Sequence, residues 1–150
     1  MNKNKISQIL EISGEFLFID EVISIVPGVS AEAIASFDVQ QPYFRNHLFN
    51  DPVLPATIMT ESALQAFMLP IYAAEPNPWQ KKGVIFAFNT KVYRPIRITK
   101  QRAESSDGLL ALKAKVKVKI NKTDKGVSQG KAVLYQGKNR IAQIFMTHIQ

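Results

Sequence analysis

The feature that most constrains this chain is residues 56 to 74, ATIMTESALQAFMLPIYAA, nineteen positions without glycine and apolar nearly all round. A helix with no wet face must be enclosed on most sides rather than laid on a surface. The rest of the chain has to supply that enclosure, and its patterning is strand-like. FLFIDEVISIV (16 to 26) is β-branched and aromatic and is closed by Pro27 and Gly28, and SAEAIASFDV (30 to 39) returns as the second arm of a hairpin. A short amphipathic helix is expected over 3 to 11. Residues 40 to 55, QQPYFRNHLFNDPVLP, hold three prolines, two asparagines and no sustained period, and read as a loop.

Beyond Trp79 the period becomes two, with strands expected at 83 to 94, 97 to 106, 109 to 121, 126 to 136 and 139 to 149. LLALKAKVKVKI is the clearest. Leu110, Leu112, Ala114, Val116, Val118 and Ile120 line one face, and Lys113, Lys115, Lys117 and Lys119 the other, before NKTDKG supplies a turn. Two strands, a long buried helix and then a meander of four or five strands predict an α+β fold, one antiparallel sheet wrapped around one central helix. At 150 residues, 46% hydrophobic and 21% charged, with no repeat or linker-like run, a single domain over 1 to 150 is expected.

Composition removes several chemistries. There is no cysteine, hence no disulfide, thiolate nucleophile, cysteine-held zinc or iron–sulfur cluster, and only His47 and His148 offer imidazole, so no metal site is expected. Glu11 and Glu15 interrupt the apolar stretch a signal peptide would need, and no segment reaches the roughly 20 apolar residues of a membrane span, Thr60, Glu61, Gln65 and Pro70 breaking the best candidate. A cytoplasmic protein without membrane association is expected. The formal charge of +7 and pI near 9.7 point to an acidic partner of some kind, although lysines alternating with apolar residues also describe the wet face of a strand.

On the core helix Thr57, Glu61 and Gln65 recur every four positions and fall on one face, with Thr60 beside them. Burying a carboxylate costs several kcal/mol or forces it to take up a proton unless a charge or donor meets it, so a buried Glu61 needs a partner, and Gln65 one turn on can hold it. The alternative is a solvent-facing stripe with an ordinary surface glutamate. His47, in the loop before the helix, suits general acid/base work near neutrality and serves equally as a structural hydrogen-bonding residue. His148, near the end of the last strand, reads as structural. Pro55 followed by Ala56 and Thr57 marks the helix start, whose exposed N–H groups form a positive pole suited to a developing oxyanion.

YFRNHLFNDPVLPATIMTESALQ (43 to 65) resembles the central motif of the 3-hydroxyacyl-(acyl carrier protein) dehydratases, which have the hotdog fold: an aromatic pair, His, Pro, Pro and Glu in that order. His47 and Glu61 stand fourteen positions apart, as in that family, and Gln65 follows at the family's position. FLFIDEV (16 to 22) resembles its first strand and KVYRPI (91 to 96) its basic-aromatic segment ending in Arg-Pro. The resemblance implies that His47 takes the proton alpha to the thioester carbonyl and that Glu61 donates to, or orients, the departing 3-hydroxyl. It implies also that Pro55, Ala56 and Gln65 bind substrate, the Ala56 N–H polarising the carbonyl. His47 and Glu61 would meet across a homodimer with a shared sheet, with further assembly or a heterodimer with a related hotdog subunit left open. No cofactor is implied beyond the phosphopantetheine arm of an acyl carrier protein, for whose docking Arg45, Arg94 and Arg97 are candidates, each of which is otherwise an ordinary surface charge. Phe67, Met68, Ile71 and Tyr72 are expected to line an acyl tunnel.

The motif also departs from the family. Asn46 replaces the usual glycine before the histidine, Leu48, Phe49 and Asn50 replace Phe-Pro-Gly after it, Pro55-Ala56 replaces Pro-Gly, and ISGE (12 to 15) replaces a His-Arg-Tyr-Pro-like stretch. Relatives that also isomerise the double bond usually carry Asp on the helix, so Glu61 favours dehydration alone. Two rivals stay open: a hotdog thioesterase, which does not need a loop histidine at this spacing, and a catalytically silent subunit paired with an active dehydratase. A nucleic-acid-binding β-domain lacks a recognisable RNA-binding aromatic motif or basic recognition helix, and no nucleic-acid partner is expected.

Overall fold

A computed structural model of the chain describes residues 1–75, 83–97, 104–106 and 109–150. A first helix α1 (Lys3–Leu10) is capped by the Asn2 side chain, which accepts from Lys5 N–H. Strands β1 (Ile19–Val26) and β2 (Ser30–Asp38) form the expected hairpin. A four-residue helix α2 (Pro42–Arg45) precedes the long helix α3 (Ala56–Ala74), and β3 (Val84–Val92), β4 (Glu104–Ser106), β5 (Leu109–Asp124), β6 (Val127–Gln136) and β7 (Asn139–Ile149) follow. All described pairings are antiparallel, in the order β1-β2-β5-β6-β7-β3, with β4 paired to the start of β5.

The sheet wraps α3 as the enclosed helix demanded. Alternate residues of β2 (Ala31, Ala33, Ala35, Phe37), β5 (Leu112 to Ile120), β6 (Ala132, Leu134) and β7 (Ala142, Ile144, Met146) are buried in one cluster with Met59, Ala63, Phe67, Leu69 and Tyr72 of α3. The run of small residues on the inner face lets the helix come close. Gly130 is one point of close approach, since a Cβ there would stand 2.3 Å from the Lys119 carbonyl oxygen and 2.8 Å from the Phe67 ring. This is the hotdog arrangement.

Four expectations are corrected. The first strand starts at Ile19, not at residue 16, because residues 14–16 form a 3₁₀ turn and the backbone at 16 and 18 bonds to a side chain of α3. The loop over 40 to 55 contains α2, which Pro42 opens at a first-turn position and Phe44 anchors in the core. The strands after α3 are not a simple meander: β2 and β6 occupy the two edges of β5, and β3 takes its place beyond β7. Of the strand expected at 97 to 106, Arg97 makes an isolated bridge to Val53 and 104–106 form β4, while 98 to 103 lie outside the described residues. Among the described residues no helix is long and apolar enough to cross a membrane.

Candidate active site

The polar stripe of α3 runs from wet to dry. Thr57 is exposed, Glu61 half-buried and Gln65 only 2% exposed. A buried primary amide has to be satisfied at both ends, and Gln65 is: its Oε1 accepts from Phe18 N–H at 2.9 Å, and its Nε2 donates to the Phe16 carbonyl at 2.8 Å and to Glu61 Oε1 at 2.9 Å. Exchanging amide oxygen and nitrogen would break all three contacts, so the backbone leading into β1 fixes which end of Gln65 faces Glu61. One carboxylate oxygen of Glu61 is thereby held. The donor that a half-buried Glu61 required is its helix neighbour.

His47 stands at the end of α2 on a loop tied at its base. Its Nδ1 lies 2.7 Å from the Val53 carbonyl, which can only accept, so Nδ1 carries the proton and Nε2 keeps its lone pair in the neutral ring. That is the tautomer of a general base with an oriented imidazole. Val53 N–H returns to the His47 carbonyl at 3.4 Å, Leu54 N–H donates to the Ile96 carbonyl at 2.8 Å, and Arg97 forms an ion pair with Asp51. Val53 and Asp51 were not among the residues singled out from sequence. A backbone carbonyl carries no sequence signal, and the Asp51–Arg97 pair spans 46 positions.

Pro55 precedes Ala56 at the start of α3, and its carbonyl accepts from Ile58 and Met59 N–H at 3.0 and 3.2 Å. The N–H groups of Ala56 and Thr57 lie ahead of any intrahelical acceptor, and both residues are exposed. Thr60 donates to the Ala56 carbonyl at 2.8 Å and shares a 2.7 Å contact with the Thr90 hydroxyl, fixing this end of the helix to β3. Within one chain His47 and Glu61 share no hydrogen bond or ion pair. The fold brings Glu61 and Gln65 together and leaves the histidine exposed.

Beside the Gln65–Phe16 contact lies an apolar recess of about 590 Å³ lined by Ser13, Glu15, Phe16, Phe18, Tyr43 and Ile58. Burial pushes the Tyr43 phenol up to about 12, with the Asp38 charge adding to the effect, so the ring presents a protonated hydroxyl at neutral pH. The expected tunnel lining is corrected: Phe67, Ile71 and Tyr72 are packed in the core, and of the four residues Met68 alone is half-exposed, on the same face as Glu61 and Leu64. Of the three arginines, Arg45 and Arg94 are exposed, whereas Arg97 is committed to Asp51. The cleft that Arg94 and Arg97 share with Lys113, Lys115 and Tyr135, about 1010 Å³, contains neither His47 nor Glu61. His148 is fully buried against the Tyr72 ring, its two ring nitrogens without a partner among the described residues, and desolvation holds its pKa below the usual histidine range. Among the described residues no three carboxylate or imidazole side chains converge as a metal site would require.

Among curated proteins, the 3-hydroxyacyl-[acyl-carrier-protein] dehydratase FabZ of Shewanella baltica is 32% identical over 91 residues, a match that spans 59% of this chain and 59% of that protein. Among solved structures, zebra fish thioesterase superfamily member 2 superposes with a TM-score of 0.66 at 15% identity, covering 99% of this chain and 95% of that one. The PaaI protein of the E. coli phenylacetic acid degradation operon superposes with a TM-score of 0.60 at 13% identity over 98% and 88%. At such identities these two establish the fold alone. The sequence profile of the FabA-like domain matches residues 12–144, a span that includes the hairpin, the His47 loop, all of α3 and most of the sheet, and on that match the chain belongs to the FabA-like domain family.

Proposed function

We propose that this protein dehydrates a 3-hydroxyacyl thioester, carried on the phosphopantetheine arm of an acyl carrier protein, to the trans-2-enoyl thioester. One observation carries the reading most: the two groups the reaction needs are held in complementary ways, His47 with Nδ1 committed to the Val53 carbonyl and Glu61 with one oxygen fixed by Gln65. His47 Nε2 takes the proton at C2, and the electron pair moves to form the C2–C3 double bond as the C3–O bond breaks. Glu61 supplies the proton that lets the 3-hydroxyl leave as water. Negative charge building on the thioester oxygen is met by the Ala56 N–H at the start of α3. The proton on His47 then returns to Glu61 through solvent.

Because the two side chains share no contact within one chain, the site is read as composite, His47 from one protomer and Glu61 from another. The edge strand β3 supports that reading: it has no partner on its outer edge among the described residues, and Val84, Phe86, Phe88 and Val92 are exposed along it. An open, apolar edge of this length is a surface that proteins normally cover. The carrier is read as acidic, meeting Arg45 and Arg94, while Arg97 is taken out of that role by Asp51. Reversing the charge of Arg45 and Arg94 together should weaken binding of carrier protein and raise KM with little change in kcat.

Absorbance at the enoyl-thioester band, followed as the pure protein meets 3-hydroxyacyl carrier protein, tests the reaction. Enoyl product from wild type, lost in His47→Ala and in Glu61→Gln, is the expected result. Release of free thiol in its place would make the protein a thioesterase, and no product across a range of chain lengths would make it a silent partner subunit.

A further inference from the structure

The turn that follows His47 is built for contact rather than for solvent. Asp51 N–H donates to the Leu48 carbonyl at 2.8 Å, which places Phe49 and Asn50 at the centre of a four-residue turn. Such positions favour Gly, Pro, Asn, Asp or Ser. Here Phe49 is 76% exposed and Leu48 61% exposed. Leu48 also has φ of 54°, in the left-handed region that costs a residue with a side chain free energy and that tends to be kept where function requires it. The base of the turn is held by the Val53 contacts of His47, the Asp51–Arg97 pair and the Leu54–Ile96 bond. A turn anchored at its base and apolar at its tip is preorganised for insertion.

The same chain carries a surface of matching character. Phe88 lies opposite Met146 and so points to the helix side of the sheet, yet it is 58% exposed. Two contacts set the direction of β3 along α3: Thr60 meets Thr90 near one end, and near the other Tyr72 meets His148, whose cross-strand partner is Ile85. The two elements therefore run antiparallel, and Phe88 falls at the level of Leu64 and Met68, which are half-exposed on the face of α3 that also carries Glu61. This apolar strip ends at a carboxylate.

We propose that the Leu48–Phe49 tip inserts against the Leu64, Met68 and Phe88 strip of a second copy of this chain and thereby positions His47 opposite that copy's Glu61. The inference rests on the reading that the two residues act together from different protomers, and it adds the element that delivers the histidine. The second copy is the occupant because tip and strip lie on one chain, so that a twofold axis satisfies both at once, and because the carboxylate that His47 needs lies on the strip's own helix face. Phe49 and Leu48 are positioning residues that touch no reacting atom.

The test uses the full chain. Trp79 is its single tryptophan, so Phe49→Trp in a Trp79→Phe background places one indole reporter at the tip. Sedimentation should find a dimer at micromolar concentration with blue-shifted emission from that indole, moving red as dilution separates the protomers. Phe49→Ser should raise the dimer dissociation constant by about 30-fold or more, as loss of an aromatic anchor does. A dimer whose tip indole emits at the fully exposed wavelength, or in which Phe49→Ser leaves the dissociation constant unchanged, would overturn the docking of the tip while leaving the composite site standing. A wild-type protein that stays monomeric at all concentrations would overturn both.

Discussion

Gln65 ties the backbone leading into β1 to Glu61. Its amide satisfies the buried Phe18 N–H and the part-buried Phe16 carbonyl and bonds Glu61, so Gln65→Ala would orphan one buried backbone donor, strip a second backbone group of its partner and free the carboxylate. Thermal unfolding should show a loss of about 1–3 kcal/mol, and under the proposed reaction activity per folded molecule should fall mainly through kcat, since the contact that orients Glu61 is lost. His148 makes a separate prediction. Its pKa in the folded protein lies below the ordinary 6.5 because burial penalises the charged ring. Above about pH 6.5 both folded and unfolded chains hold it neutral. As the pH falls below that value the unfolded chain takes up a proton that the folded chain resists, and stability declines by up to about 1.4 kcal/mol per pH unit until the folded pKa is passed. His148→Leu, which also removes two unpartnered ring nitrogens, should flatten that part of the stability profile in urea melts run across pH 4 to 7.

Among elements, α3 and β5 were legible because each carries one dominant pattern, an unbroken apolar run in the first and a period of two in the second. The apolar run of α3 and the lysine alternation of β5 are strong one-dimensional patterns, and burial follows the β5 alternation residue by residue from Leu112 to Ile120. Three other features depend on contacts that no local pattern carries. The start of β1 is set by Gln65, 47 positions beyond the Phe18 amide it accepts from, and the place of β3 by which sheet edge remains open. The tunnel expected from Phe67, Ile71 and Tyr72 failed because helical spacing says which residues share a face but not whether that face meets a cavity or a packed sheet. Phe67 meets the sheet, at Gly130. Gly130→Ala therefore forces either the Lys119 backbone or the Phe67 ring to move and should lower the urea midpoint by the equivalent of about 1–3 kcal/mol, with the same m-value.

For the whole molecule, sequence spacing picked out His47, Glu61 and Gln65, while the contacts around them appear only in three dimensions: the Val53 carbonyl at His47 Nδ1, the backbone leading into β1 that clamps Gln65, and the edge of β3 that is open among the described residues. Under the proposed function, His47 and Glu61 of different protomers form one dehydratase site. Refolding His47→Ala and Glu61→Gln together in equal amounts tests it most directly. Each variant alone is expected to be inactive, and random pairing should restore about a quarter of wild-type enoyl-thioester formation, because half of the dimers then carry one intact site of two. A mixture no more active than the separate variants, with dimers exchanged, would contradict the composite dehydratase site.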